Sequence, residues 1–568
     1  MNNFVKNPLN KVEGKCFNTY ESIIKELNSK KFNVLTIDCY PGVNDSIVLE
    51  EVKKIEHTKL INTYDIFKTE EEINEQIKYF LTDDRVFGKM YYGNVIDFMD
   101  LEKLEAAKKI VEENNKVIIY GFGASLVNKG DLLAYIDLSR WEIQLRYRKG
   151  MGNFKCSNYN GDKLRKFKRG YFFEWRIADK LKASLFDDID YMIDGNKDNE
   201  PKMISGDTFR NAMFEVAGRP FRTQPYFDAG VWGGHWMEDK FNLEDGNPNY
   251  AWSFDGVPEE NSLLLEIDSN VLELPAMDLI LSQPIRLLGP QVYSRFGAEF
   301  PIRFDYLDTM GGQNLSLQVH PVTEYIKKEF GMTYTQDESY YMLHAGDDAC
   351  VYLGLKEGVN KEEMLAALHE SEQTGKFDAE KYVNKFPAKK HDHFLIPAGT
   401  IHCSGSSSMV LEISATPYIF TFKLYDWDRV GIDGKPRPIN IKHGEKVIQW
   451  DRTTNWVKDN LVNNINIIED EEYLVEHTGL HELEFIETRR YTSKKEIILD
   501  TNNNFCQCNL VEGKSAIIES LENKFQAYEV HYAETFVLPA SIGKYTIKPG
   551  SDTEEIKVLQ AYVRKPQA

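Results

Sequence analysis

In Asn314-Leu-Ser-Leu-Gln-Val-His320, apolar Leu315, Leu317 and Val319 alternate with Ser316, Gln318 and His320. Strand side chains leave on opposite faces with period two, so the pattern predicts a strand with one core face and one polar wall. Upstream, residues 1–205 switch between two periods. Charged helical patterns over 21–30 and 101–114 are interleaved with apolar strand patterns over 32–37 and 116–120. This alternation predicts an α/β domain with a mainly parallel sheet. Over 206–460 the texture changes to short strands punctuated by Gly and Pro, as in Gln224-Pro-Tyr-Phe-Asp-Ala-Gly-Val-Trp-Gly-Gly234, which predicts an all-β barrel or sandwich. Within it, 361–369 and 378–384 read as helical, an insertion near 358–390. Residues 461–568 are β-rich again, with strand patterns over 496–500, 515–519 and 534–540. The predicted fold class is therefore multidomain, α/β followed by two all-β domains, with boundaries near 205 and 460.

A chain of 568 residues exceeds what one core usually organises, and 42% hydrophobic residues suffice for several. The formal net charge of -21 argues against nucleic-acid or anionic-membrane partners, whose phosphates need surplus Lys and Arg. The basic run 163–169 then reads as a solvated face. No apolar run approaches the roughly 20 residues of a membrane span. The opening Met-Asn-Asn-Phe-Val-Lys lacks the apolar stretch of a signal peptide, so the expectation is a cytoplasmic protein. Seven cysteines, scattered and without a C-x-x-C pair, point to reduced thiols. Cys403 follows His402 directly, but strand neighbours face opposite ways, which leaves it off any site that His402 lines.

The polar wall brings one imidazole and one amide oxygen. A first-row divalent ion such as zinc would still want a carboxylate and another imidazole, and Glu338 and His402 are available. The segment His391-Asp-His-Phe-Leu-Ile-Pro-Ala-Gly-Thr-Ile-His402 reads as a strand, a tight Pro-Ala-Gly turn and a histidine opening the next strand. Together with Gly312 and the five residues before Gln318, these pieces resemble the two metal-binding motifs of the cupin fold. Gln318 stands where most cupins have their first histidine, a variant characteristic of class I mannose-6-phosphate isomerases. The resemblance continues through Pro225-Tyr-Phe-Asp-Ala-Gly-Val-Trp-Gly-Gly234, Glu338-Ser-Tyr-Tyr-Met-Leu343, Val410-Leu-Glu412 and Lys423-Leu-Tyr-Asp-Trp-Asp-Arg429, covering about 215–440 in order.

The resemblance implies two cupin-like β-barrel domains, the second without metal because the turn in Phe536-Val-Leu-Pro-Ala-Ser-Ile-Gly-Lys-Tyr545 has no histidine at the ligand place. It also implies one zinc ion on Gln318, His320, Glu338 and His402, with Glu324 as the rival carboxylate at the spacing of simpler cupins. His391 sits at a turn position, and His393 could face either way. The activity implied is interconversion of mannose 6-phosphate and fructose 6-phosphate, a small sugar-phosphate substrate; no oligomeric state follows. Glu412 occupies the place of a glutamate lining the family's site. Lys423 stands where the family has an arginine, and Asp305 where it often has a lysine, with Arg303 on the same strand face. Glu412 and Lys423 are thus the candidate catalytic residues, and Ser316 and Arg303 the candidate substrate contacts. The substituted cations leave a second reading, a non-catalytic sugar-binding regulator on a retained cupin. Lysine keeps the charge but not the bidentate fork of arginine.

The segments Lys116-Val-Ile-Ile-Tyr-Gly-Phe-Gly123 and Arg140-Trp-Glu-Ile-Gln-Leu-Arg-Tyr-Arg148 resemble uridine kinase or phosphoribulokinase-type P-loop proteins. The first turn, Asp38-Cys-Tyr-Pro-Gly-Val-Asn-Asp-Ser46, lacks the Gly-Lys-Ser/Thr that cradles a triphosphate, which predicts a degenerate, non-catalytic domain. A dinucleotide reading of Gly121-Phe-Gly123 fails because Leu126 takes the third glycine's place.

Overall fold

Val34–Cys39 and Val117–Gly121 are continuous apolar runs, and both are buried along their whole length, as strands covered on two faces must be. They are neighbouring interior strands of a seven-stranded sheet ordered Cys16–Phe17, Lys202–Ser205, Tyr191–Asp194, Leu132–Asp137, Val34–Cys39, Val117–Gly121, Lys59–Asn62. The last five in that order run parallel. The helices between them start where the sequence supplies caps. Thr19 forms a capping box on Tyr20–Ser29, and Asp100 accepts from two amides of Leu101–Glu113. The computed structural model describes residues 3–244, 246–430, 439–479 and 481–565. The outermost ends of the expected first and last domains, 1–2 and 566–568, lie outside them. Among the described residues no helix is long and apolar enough to cross a membrane.

The expected boundaries at 205 and 460 are corrected. One compact unit comprises Leu9–Ala217 and Glu259–Gln283; the other comprises Met1–Pro8, Gly218–Pro258 and Pro284–Ala568. The physical reason is strand pairing: Ser262–Ile267 runs parallel to Leu9–Lys11 and antiparallel to Asn270–Pro275. Helices Gly206–Val216 and Ala276–Ser282 also belong to the first unit, so the stretch after 205 is not all β. In this unit the loops after Val34–Cys39 and Leu132–Asp137 meet over a buried charge network. Lys182 Nζ lies 2.7 Å from both Asp137 Oδ2 and Asp278 Oδ1. Tyr40 donates to Asp179 at 2.8 Å, and Arg140 pairs with Asp179 and Glu259.

The second unit holds two sheets that supply facing walls of a barrel. One is ordered His393–Ile396, Glu338–Ala345, Ser408–Ala415, Ile302–Asp308, Trp252–Gly256, Tyr226–Asp228; the other Val383–Pro387, Cys350–Leu355, His402–Ser404, Leu317–Val319, Phe422–Tyr425. The insertion helix runs Lys361–Thr374. The expected helix over 378–384 is shorter, Ala379–Tyr382, because Val383–Pro387 leaves it to become an edge strand on Cys350–Leu355. Residues after 460 form a six-stranded and a four-stranded sheet. Cys508, Leu510, Phe536, Tyr545 and Ile547 are among the core they share. This β layer falls in the same unit as the barrel rather than apart from it.

Candidate metal centre

The strand predicted over 314–320 is regular only over Leu317–Val319, but both its faces are buried, so the polar wall lines a barrel interior rather than solvent. Antiparallel partners directly opposite one another share a face. Gln318 pairs with His402 on one side and Lys423 on the other, which sets His402, Gln318 and Lys423 in one row. The facing sheet supplies two more rows: Arg303, Ser414, Glu338 and Ile396, then Asp305, Glu412, Tyr340 and Phe394.

Glu338 is where the two walls meet. Its Oε2 lies 2.9 Å from His320 Nε2, and its Oε1 lies 2.8 Å from His402 Nε2. Gln318 Nε2 lies 3.2 Å from His402 Nε2, and a flip of the amide would present Oε1 there instead. Both imidazoles are oriented from behind. His320 Nδ1 lies 3.2 Å from the Phe420 carbonyl and His402 Nδ1 2.8 Å from the Thr400 carbonyl. Carbonyls only accept, so each ring holds a proton on Nδ1 and turns its Nε2 towards Glu338. Burial raises the Glu338 carboxyl, but the two imidazoles outweigh it and hold the group well below the usual carboxylate range. Although close to His402, Oε1 makes no well-formed hydrogen bond and is fully buried. Two imidazole nitrogens and a carboxylate converging in a buried interior are what a borderline divalent cation needs, so the residues present fit one. Among the described residues, His320, Glu338 and His402 form the only cluster of three or more His, Cys, Asp or Glu side chains close enough to share an ion.

The rival carboxylate stands elsewhere: Glu324 is exposed on helix Thr323–Phe330, because Pro321 ends the strand. Glu412 lies on the inner face, 6% exposed, with Ser414 Oγ donating to its Oε1 at 3.0 Å. Burial first, then Glu338 and Asp305, push its carboxyl well above the usual range, against the pull of Arg303. Arg303 shares that wall, but its Nη2 is engaged by Asp305 and its guanidinium lies over the Tyr418 ring. Ser316 is buried just ahead of Leu317–Val319, and Lys423 is half-buried beside Gln318. Cys403 pairs with Tyr352, on the face opposite His402.

His391 is the expected turn residue, at φ 73°, with its ring nitrogens on Tyr341 and Glu512. His393 turns away from the metal wall. It lies three residues before Ile396, hence on the opposite face, where its Nε2 meets Ser339 Oγ at 2.9 Å. Burial, with Arg490 adding, pushes this imidazole down to about 3. An unfolded histidine titrates near 6.5, so as pH falls the unfolded chain takes the proton first. The contribution is a stability present above about 6.5 and lost progressively down to about 3. His393→Gln should therefore be relatively less acid-sensitive, its unfolding free energy losing about 1.4 kcal/mol less per pH unit below 6 than the parent. Urea titrations at several pH values check this.

Sequence reading missed the residues that hold these ligands in place: Asp337, Thr400 and Arg452. None belongs to the quoted metal motif except Thr400, where only the glycine turn drew notice, and Arg452 lies fifty residues beyond His402 with no local signal.

A family model described as a domain of unknown function (DUF8485) matches residues 19–218. The chain is 23% identical over 338 residues to the probable mannose-6-phosphate isomerase GmuF of Bacillus subtilis, covering 58% of this chain and 96% of that protein. It is 25% identical over 231 residues to the mannose-6-phosphate isomerase ManA of the same organism, covering 40% and 68%. Among solved structures it is similar to the mannose 6-phosphate isomerase from Bacillus subtilis, at 17% identity and a TM-score of 0.49, over 61% of this chain and all of that one. Part of this chain is thus similar, at low identity, to mannose-6-phosphate isomerases, and residues 19–218 match a domain of unknown function.

Proposed function

We propose that the chain is a metal-dependent aldose–ketose isomerase of sugar phosphates, with zinc as the ion and mannose 6-phosphate and fructose 6-phosphate as the pair. The observation that carries this reading is the convergence of His320 Nε2, His402 Nε2 and the Glu338 carboxylate, with each Nδ1 facing a backbone carbonyl. His320, His402, Glu338 and Gln318 would hold the ion. Bound there, zinc supplies a Lewis acid that polarises substrate oxygens.

Isomerisation also needs a group to move a proton between adjacent carbons and a cation near the oxygen where charge develops. Glu412, on the wall facing Gln318, is the proton-handling carboxyl, with Ser414 fixing its Oε1. Lys423, in register with Gln318, is the cation. Ser316 and Arg303 are assigned to substrate contact. The buried barrel interior excludes water from a reactive enediolate.

The first unit is assigned a non-catalytic role. In open α/β sheets ligands bind outside the carboxyl ends of strands whose connections diverge, here Val34–Cys39 and Leu132–Asp137. Tyr40, Asp137, Arg140, Asp179 and Lys182 fill that position with side chains buried against one another.

A coupled assay for fructose 6-phosphate formed from mannose 6-phosphate tests the reading; conversion of a different aldose phosphate would move the substrate and keep the reaction class. Sugar binding without turnover of any substrate in a panel would favour a regulatory protein instead. Lys423→Met should leave ion content and folding intact and lower turnover by about two orders of magnitude, the scale of a lost transition-state contact. Lys423→Arg should preserve or raise it. Unchanged turnover in Lys423→Met would send the search for the cation to Arg303 or Arg429.

A further inference from the structure

The four-residue turn from Pro397 to Thr400 touches both histidines of the metal cluster and the chain neighbour of its carboxylate. The Thr400 carbonyl orients His402 through Nδ1 at 2.8 Å. The Gly399 amide donates to the His320 carbonyl at 2.9 Å. The Ala398 amide donates at 2.9 Å to Asp337, the chain neighbour of Glu338. A shift of this turn would therefore move both imidazoles and the carboxylate together.

One side chain fixes it. Arg452 Nη1 donates to the Pro397 carbonyl at 2.6 Å, to the Ala398 carbonyl at 2.8 Å and to Thr400 Oγ1. Arg452 is 7% exposed and follows a backbone contact of its own segment with the same turn, Gln449 N to the Gly399 carbonyl at 2.9 Å. Gly399 stands at φ 91°, and a Cβ there would meet Gln449 Cγ at 2.6 Å, so the clamping segment lies directly on the turn. Pro397, Ala398, Gly399 and Thr400 thus all have their carbonyls engaged, the first three with help from 449–452 and the last by the ligand itself. The guanidinium plane holds Nη1 at one point between two carbonyls and a hydroxyl, a fixed placement that a flexible ammonium does not reproduce.

We infer that Arg452 is a positioning residue of the metal centre: it holds the 397–400 turn so that Thr400 keeps the His402 proton on Nδ1 and Nε2 bare towards the ion. Outer-shell contacts of this kind typically contribute about 10–100-fold to metal affinity or activity. The inference rests on the metal-centre reading above, and its test separates the two.

The full-length protein and its Arg452→Gln and Arg452→Lys variants are stripped of metal. They are then titrated with zinc against a competing chelator and with cobalt(II), whose visible spectrum reports coordination geometry. Unfolding midpoints of the metal-free proteins are recorded alongside. Arg452→Gln should bind zinc about 10–100-fold more weakly with an altered cobalt spectrum at temperatures where it is fully folded. Arg452→Lys, which keeps the charge and loses the fork, should fall between it and the parent. Should Arg452→Gln not fold, the same intermediate loss in Arg452→Lys carries the test. A lowered unfolding midpoint with parental zinc affinity and spectrum in the variant that folds would show a merely structural arginine and overturn the inference, leaving the metal centre standing. A parent that binds neither ion would remove the metal centre and this inference with it.

Discussion

Alanine at His320 or at His402 should leave the purified protein unable to retain a divalent ion, while alanine at Glu324 should leave it loaded. Each histidine supplies one of the three donors converging within the barrel, and each has its second nitrogen committed to a carbonyl, so no rotation of the remaining rings replaces the lost one. The truncations also leave the Glu338 carboxylate buried with one imidazole fewer, which raises its proton affinity and weakens it as a ligand. The expected loss exceeds the about 10–100-fold of an outer-shell change. Metal analysis of the three variants after dialysis checks it. Retained ion in both histidine variants would remove the site, and loss in Glu324→Ala would reassign the carboxylate.

Lys182→Met should destabilise the first unit by about 3–5 kcal/mol, the cost of removing one member of a buried ion network. Lys182 is 1% exposed and stands between Asp137 and Asp278, neither of which is exposed at all. Burial alone would lower its pKa, but the two carboxylates raise it well above the ordinary value, so the ammonium is charged when folded. Without it, two carboxylates face one another out of reach of water, and one must take a proton. Asp278 belongs to the segment Glu259–Gln283, which pairs with the first unit, so that segment should loosen with the substitution. Denaturant unfolding followed by proteolysis within 259–283 reads both effects. Lys182→Met combined with Asp278→Asn should recover part of the loss, because it removes one uncompensated charge.

The metal cluster was legible because its residues obey local rules. Gln318 and His320 share a face by strand period, and His402 follows a turn that only glycine at positive φ permits. Glu338 came from the family resemblance, and Pro321 with the helical pattern after it weighed against Glu324. The direction of His393 was not legible, since an isolated four-residue strand has no internal reference for its two faces; pairing of Glu338 with Ile396 supplies it. The excursion of 259–283 was hidden for the same reason. Its strand Ser262–Ile267 finds its partner in Leu9–Lys11, about 250 residues away, a pairing that no window of sequence contains. Arg452 escaped notice because an arginine that binds carbonyls leaves no pattern in spacing or charge. Asp305 and Arg303, two residues apart on one predicted strand face, do pair with each other on the inner wall.

The most direct test of the metal-dependent isomerase is activity as a function of bound zinc. Metal-free full-length protein is reconstituted in steps, and bound ion and conversion of mannose 6-phosphate are measured on the same samples. Turnover should be absent in the stripped protein, rise in proportion to bound zinc and level off at one ion per chain. Full turnover in stripped protein, or one tightly bound ion per chain with no conversion of this or any other aldose phosphate, would contradict it.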